Sequence, residues 1–298
     1  MKQFKLFLIK LARKNILKLS DKKFLDLCFD YYLGKKINWD NPQTYNEKLQ
    51  WLKIYDRQDR YTKMVDKYEA KNYVKNIIGQ EYIIPTIGIY DKFEDINFDK
   101  LPQQFVMKCT HDSGGLVICK DKNKLNLKET KKKINKCLKV NYFNCWKEWP
   151  YKNVKPRIII EKYMSNSDSE GINDYKFFCF NGKVKLLFIA TDRVRENEET
   201  KFDFYDENFN HLPIKNGHPN AIIPPSKPIN FEKMKKLAEI LSTDIPHLRV
   251  DFYEINGKIY FGELTFSHWA GMVPFEPEEY DLILGNWIDI KKIKQNNK

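Results

Sequence analysis

"HLRVDFYEINGKIYFGELTF", residues His247–Phe266, alternates charged and apolar side chains, breaks once at Asn256-Gly257, and alternates again. Period-two alternation marks a half-buried strand, and Asn-Gly between two such runs signals a hairpin. Turn length decides the facing pairs, because a one-residue slip sends every side chain to the other face. A two-residue loop at Asn256-Gly257 pairs Asp251 with Gly262 and turns Glu263 away. A three-residue loop, Asn256-Gly257-Lys258, pairs Asp251 with Glu263 and Arg249 with Thr265, and this is the register we expect. Like charges directly opposite repel, so a cation belongs between the two acids. Mg2+ takes a few carboxylates together with phosphate oxygens. Arg249, on the same face, suits charge building on a transferring phosphoryl group. The competing reading is a solvated sheet face on which the acids never meet.

Two further segments extend the pattern. "FVMKCTHDSGG", residues Phe105–Gly115, joins an apolar strand ending at Lys108 to a small polar loop with Ser113, Gly114 and Gly115. Backbone N–H groups in such a loop approach phosphates closely, and a lysine adds a point charge. The spacing is neither GxxxxGK[ST] nor GxGxxG, and alone it reads equally as a plain Gly-Gly turn. "IIIEKYM", residues Ile158–Met164, is a buried strand ending in Glu161-Lys162-Tyr163-Met164. Backbone groups there can bond adenine, Tyr163 and Met164 supply apolar contact, and Asp168 or Glu170 can take ribose hydroxyls. An edge strand running into a loop is the bland alternative.

The order of these pieces, with "VDKYEAKNYVKNIIGQEYIIPTIG" (Val65–Gly88) before them, resembles the ATP-grasp superfamily over roughly residues 65–275. "NWDNPQTYNEKLQWLKIYDR", "DKY", "THDSGG" and "GELTFSHWAG" are similar to its TupA-like branch, tied to teichuronopeptide and capsular polysaccharide synthesis, over about residues 35–290. The resemblance implies an α+β ATP-grasp fold, two subdomains sandwiching ATP, with a mostly helical extension at residues 1–65. The ATP-grasp domain would span 66–290, with a nucleotide lid at about 105–165 and a magnesium-binding core at about 170–275. Carried over, Lys108 contacts phosphate beneath a Ser113–Gly115 flap, and Glu161, Lys162, Tyr163 and Met164 line the adenine pocket, largely through backbone. Asp168 joins the nucleotide site. Asp251, Glu263 and Thr265 hold Mg2+, and Arg249 stabilises the phosphoryl group. Lys176 faces phosphates or acyl group, and Arg193 holds an acidic substrate or is a surface charge. Thr265 departs from the usual asparagine, which puts the number of Mg2+ ions in question.

The implied chemistry is ATP-dependent carboxylate–amine ligation through an acylphosphate. The acid would be a uronate of a surface glycan or its precursor, the amine an amino acid or similar. No Ser-His-Asp triad is present, and His111 and His268 are the two histidines in motif loops. A glycosyltransferase or sugar kinase is the rival enzyme class, but "YDE" and "SDSE" are poor Asp-x-Asp elements. A nucleic-acid binder needs aromatics among its basic residues. The stretch 120–139, with nine lysines, has none, so no nucleic acid partner is expected.

Net charge is +12 over 298 residues, unevenly spread. Residues 1–20 hold six basic side chains and no acid, whereas 271–290 hold five acids and no base. Phe4, Phe7, Leu8 and Leu11 share a helical face, so residues 1–19 read either as a peripheral membrane helix or as an ordinary docked one. No apolar run reaches the ~20 residues of a spanning helix. The six cysteines form no CxxC pair and read as reduced core residues, which places the protein in the cytoplasm, with the inner membrane face as the peripheral alternative. Thr44-Tyr-Asn-Glu47 has capping-box spacing and opens a helix to Tyr55. Helices are also expected over 66–78, 124–139 and 231–242, short strands at Tyr82–Pro85 and Ile87–Tyr90, and a hairpin around Asn181-Gly182.

Overall fold

The computed structural model describes residues 2–112, 114–166, 172–191, 199–291 and 293. Ser113, Asp168, Arg193 and nearly all of the C-terminal tail lie outside the described residues.

Strands Thr86–Tyr90 (β1), Phe105–Cys109 (β2), Leu116–Cys119 (β3) and Ile158–Lys162 (β4) form an antiparallel sheet of order β1-β4-β2-β3. A second antiparallel sheet uses Asp174–Phe180 (β5), Lys183–Thr191 (β6), Lys201–Asp206 (β7), His211–Leu212 (β8), His247–Ile255 (β9) and Lys258–Thr265 (β10). Its order is β10-β9-β5-β6-β7-β8. The central β5 is buried along its whole length, as its near-continuous apolar run DYKFFCF requires. The expected segment Tyr82–Pro85 is not a strand. A 3-10 turn at Gln80–Tyr82 leads into β1 instead.

The stretch 1–65 forms helices Lys2–Arg13 (α1), Asp21–Leu33 (α2), Tyr45–Tyr55 (α3) and Arg60–Val65 (α4). Gly34 ends α2 at φ 68°, a conformation that glycine adopts without a Cβ penalty. Both halves of the Thr44/Glu47 capping box are made. Further helices are Glu69–Ile78 (α5), Leu127–Leu138 (α6), Phe143–Trp146 (α7), Phe231–Leu241 (α8) and Glu279–Trp287 (α9).

The larger sheet is covered on both faces. One carries Phe177, Val250, Phe252 and Leu264 against α5 and α8. The other carries Phe178, Phe180, Phe188 and Phe204 against Tyr45 of α3 and Leu284 of α9. The smaller sheet packs Met107 and Ile160 on Ile134 of α6.

The hairpin corrects one expectation and keeps its consequence. Lys258 pairs with Ile255, so the turn has two residues, Asn256 (φ 49°) and Gly257 (φ 71°), both left-handed. Yet Glu263 faces Asp251 and Thr265 faces Arg249. A bulge between Phe261 and Glu263, at Gly262, makes up the missing residue. The apolar face of β10 records it, since Ile259, Phe261 and Leu264 are all in one core cluster at a spacing of two and then three. A bulge sets two residues against one and reverses side-chain parity beyond it.

Candidate active site

Arg249 is the hub of the larger sheet's polar face. Its Nε and one terminal nitrogen donate to Asp251 Oδ1 and Oδ2, each at 2.8 Å. That terminal nitrogen also donates to Glu263 Oε1 at 2.8 Å and Thr265 Oγ1 at 3.0 Å. The other donates to His268 Nδ1 at 2.8 Å. Guanidinium has no acceptor, so Nδ1 is the unprotonated nitrogen and Nε2 donates its proton to Asn216 Oδ1 at 2.8 Å. Burial, together with Arg249 and Lys176, holds His268 well below the usual histidine range. Lys176, paired across the ladder with Asp251, bonds that carboxylate and also Asp174 at 2.7 Å. Three carboxylates therefore meet two cations in a pocket where Asp251 is 1% exposed. Burial pushes Arg249 down, but Asp251 and Glu263 outweigh it and keep the guanidinium charged.

A second cluster lies on the smaller sheet. Glu161, on β4, accepts from Lys108 Nζ at 2.6 Å on one oxygen and from Lys71 of α5 on the other. Burial raises the Glu161 carboxyl, but Lys108 and Lys71 overcome it and hold the pKa at about 2. Lys71 also donates to Ile84 O at 2.7 Å. Its neighbours Ala70 and Val74 sit in the larger sheet's core, so α5 ties the two sheets together. In the glycine loop, the Gly115 N–H donates to Asp112 Oδ1 at 3.1 Å, and the Cys109 N–H to Gly115 O at 2.9 Å. Gly114 is exposed above.

The N-terminal helices support the first cluster from below. Asn46, Gln50 and Lys53 make a buried polar stripe on α3. Gln50 Nε2 donates to Ala270 O at 3.1 Å and Gly271 O at 2.9 Å, and Lys53 Nζ to Ala270 O at 2.8 Å. These bonds hold a turn in which Trp269, Ala270 and Gly271 all have positive φ, at 48°, 54° and 62°. Non-glycine residues pay about 1–3 kcal/mol for such conformations, and they concentrate at functional sites. His268 opens this turn, and Trp269 stands 42% exposed beside it.

A model of the family described as TupA-like ATPgrasp matches residues 47–289. The chain belongs to the TupA-like ATP-grasp family. Membership makes the protein an ATP-dependent carboxylate–amine ligase that forms carbon–nitrogen bonds, with ATP and Mg2+ as cofactors. Among curated proteins no relative matches. Similar solved structures include a D-alanine-D-alanine ligase from Helicobacter pylori, at 14% identity and TM-score 0.44, covering 82% of this chain and 69% of that one. Another is the ATP complex of the Bacillus anthracis D-alanine-D-alanine ligase, at 16%, 0.38, 82% and 70%. A third is the ADP complex of N5-carboxyaminoimidazole ribonucleotide synthetase, at 13%, 0.42, 74% and 50%. At these scores the family assignment rests on the sequence match.

The residues of the ligase fit Mg2+. Asp251, Glu263 and Thr265 supply three hard oxygen donors on one face of the hairpin; all three bond one Arg249 nitrogen within 3.0 Å, and a bound ion would displace that nitrogen. Glu263, with a side chain 42% exposed, opens that face to solvent.

The sequence-named residues thus fall into two groups. Arg249, Asp251, Glu263, Thr265 and Lys176 come together on the larger sheet. Lys108 and Glu161 meet on the smaller one, beside Gly114 and Gly115. The buried side chain of Glu161 is the counter-ion of two lysines, a contact the sequence does not announce. Lys162 is exposed, and its N–H bonds Pro85 O at 3.0 Å. Tyr163 and Met164 are half-buried. His268 has both ring nitrogens bonded, to Arg249 and Asn216, and His111 bonds Cys137 O and Val140 O through Nε2. Lys71, Asn216 and the α3 stripe were missed. Lys71 leaves only one sequence signal, a lysine on the buried side of an amphipathic helix.

Proposed function

We propose that this ligase joins an amine, such as an amino acid, to the carboxyl of a uronic acid in a bacterial surface polysaccharide or its precursor. When bound, ATP and Mg2+ supply the activation, converting the carboxylate into a mixed anhydride with phosphate that an amine can displace. The chain's own residues do placement and charge compensation. Asp251, Glu263 and Thr265 hold the cation. Arg249 and Lys176 face the charge that develops on the transferring group. Lys108 and Lys71 take phosphate oxygens beneath the glycine loop, within a lid of about 105–165. Tyr163 and Met164 flank the base. Arg193 and Asp168 keep their sequence-based roles, toward the acidic substrate and the ribose.

The observation that carries the reading is the convergence of three oxygen donors and one guanidinium across the bulged hairpin. For the sugar, the support is Trp269, a half-exposed ring held in a fixed left-handed turn, as a stacking platform for a pyranose. Glu263→Gln, at the more exposed acid, should abolish Mg2+-dependent ADP release while circular dichroism stays unchanged, and Asp251→Asn should abolish it with an added loss of stability from the uncompensated Arg249 and Lys176. Normal turnover in both variants would remove the cation assignment. A phosphate-release screen crossing uronic acids with amino acids identifies the pair, and release with no amine present would favour a kinase. We also place α1 against an anionic membrane face, because its Phe4 and Phe7 project outward among lysines.

A further inference from the structure

Beneath the glycine loop, Cys109 at the end of β2, Asp112 in the turn and Cys137 near the end of α6 bring their ligand atoms within 4.8 Å of one another. Among the described residues this is the one such cluster of three. The groups are 28 residues apart in sequence at the extremes, so no CxxC spacing announces them. Cys109 and Asp112 are buried and Cys137 is half-buried, which leaves one side accessible. The glycines conform to this cluster. A Cβ on Gly115 would fall 2.5 Å from Cys109 Sγ, and one on Gly114 would touch Asp112 Oδ2 at 3.8 Å and Cys137 Sγ at 3.9 Å. Asp112 spends Oδ1 on the Gly115 N–H, which leaves Oδ2 toward the thiols.

We propose that Cys109, Asp112 and Cys137 bind a thiophilic divalent cation, Zn2+ by its ligand preference, which clamps the glycine loop onto α6. Two thiolates on one tetrahedral Zn2+, each about 2.3 Å away, sit about 3.8 Å apart, a separation inside the 4.8 Å that encloses the three ligand atoms. Each thiol proton passes to solvent as its sulfur–metal bond forms, Asp112 adds an oxygen, and water takes the fourth position. Mg2+ does not compete, because it prefers oxygen-only sets. The site is separate from the hairpin acids, so its test needs no nucleotide.

The test adds Co2+ to the reduced, metal-free full-length protein without ATP. A thiolate-to-cobalt charge-transfer band should appear at one equivalent and vanish when Zn2+ is added. Oxygen-ligated Co2+ at Asp251 and Glu263 gives no such band. Cys109→Ser and Cys137→Ser should each weaken Zn2+ binding, read by a chromophoric chelator, by about tenfold or more, since even outer-sphere partners are worth 10–100-fold. If a serine variant does not fold, alkylation of the wild type decides. Zn2+ should protect Cys137 and leave the equally half-buried Cys145 reactive. A wild type without the band, a band that persists in Cys109→Ser/Cys137→Ser, or equal alkylation of Cys137 with and without Zn2+ overturns the proposal.

Discussion

Arg249 and Glu161 are each the middle of a chain of charges, and their roles can be separated by experiment. Removing one partner of a buried ion pair leaves the other charge uncompensated and costs about 3–5 kcal/mol. Glu161→Gln, which leaves Lys71 and Lys108 facing each other, should therefore destabilise the protein by that order in urea unfolding at pH 7. The sign of its pH dependence follows from the depressed carboxyl. The ordinary value is 4.5 and the folded value about 2, so the Glu161 contribution is complete above pH 4.5. It is lost as pH falls from there toward 2. The gap between wild type and variant should be constant from pH 7 to 5 and close below 4.5. His268 acts through Arg249. His268→Ala should lower kcat about 10–100-fold with KM for ATP nearly unchanged, and His268→Asn should partly restore it. Because His268 is pressed far below its ordinary 6.5, the wild-type pH–rate profile should show no inflection from it between pH 6 and 8. A wild-type inflection that disappears in the variant would contradict this. At this scale the acids, the arginine and Lys108 were legible, because strand alternation assigns their face. Lys71 and Asn216 were not, because each reaches the site from an element whose distance in sequence hides the contact.

The hairpin and helix α3 carry the site's geometry at the scale of elements. The pairing of Asp251 with Glu263 was legible as a demand, two acids needing one face, but its device was not. Asn256-Gly257 fits a two-residue turn, and nothing in the alternation marks Gly262 as an extra residue until the core positions Ile259, Phe261 and Leu264 are seen together. A Cβ on Gly262 would meet Asp251 O at 3.1 Å and Tyr253 Cε2 at 3.2 Å. Gly262→Ala should cost about 1–3 kcal/mol, as overpacked sites do, and should reduce Mg2+-dependent turnover more than ATP binding. Unchanged melting and turnover would show that the bulge tolerates a side chain. Helix α3 was expected from its capping box and appears with both ends as read. Its buried polar stripe was not anticipated. Polar residues at positions 46, 50 and 53 look like a solvated face until the 268–271 turn is there to receive them.

Across the whole molecule, the basic N-terminal stretch seen in composition falls largely on one helix, α1. Helix α1 docks through Ile9 and Ala12 and through Arg13, which lies over the Trp146 ring at 4.2 Å. Phe4 and Phe7 are left 64% and 55% exposed. Juxtamembrane lysines contribute about 1 kcal/mol each at anionic lipid. The protein should co-sediment with phosphatidylserine vesicles at low salt and not with neutral ones, and Phe4→Ser/Phe7→Ser should abolish most of this. Equal recovery with both lipids would assign the exposed rings another role. No helix of the described residues is long and apolar enough to cross a membrane. The hairpin reaches furthest beyond its own strands. Side-chain parity is reset at Gly262, so the tip beyond it is insulated from the catalytic face. Pairs of residues can be added or trimmed there without moving an acid, whereas a change of one would turn the ribbon inside out and bury Glu263 where Leu264 now packs. Related chains should therefore vary at this tip in even steps, and an odd step should appear only where the spare glycine has been lost.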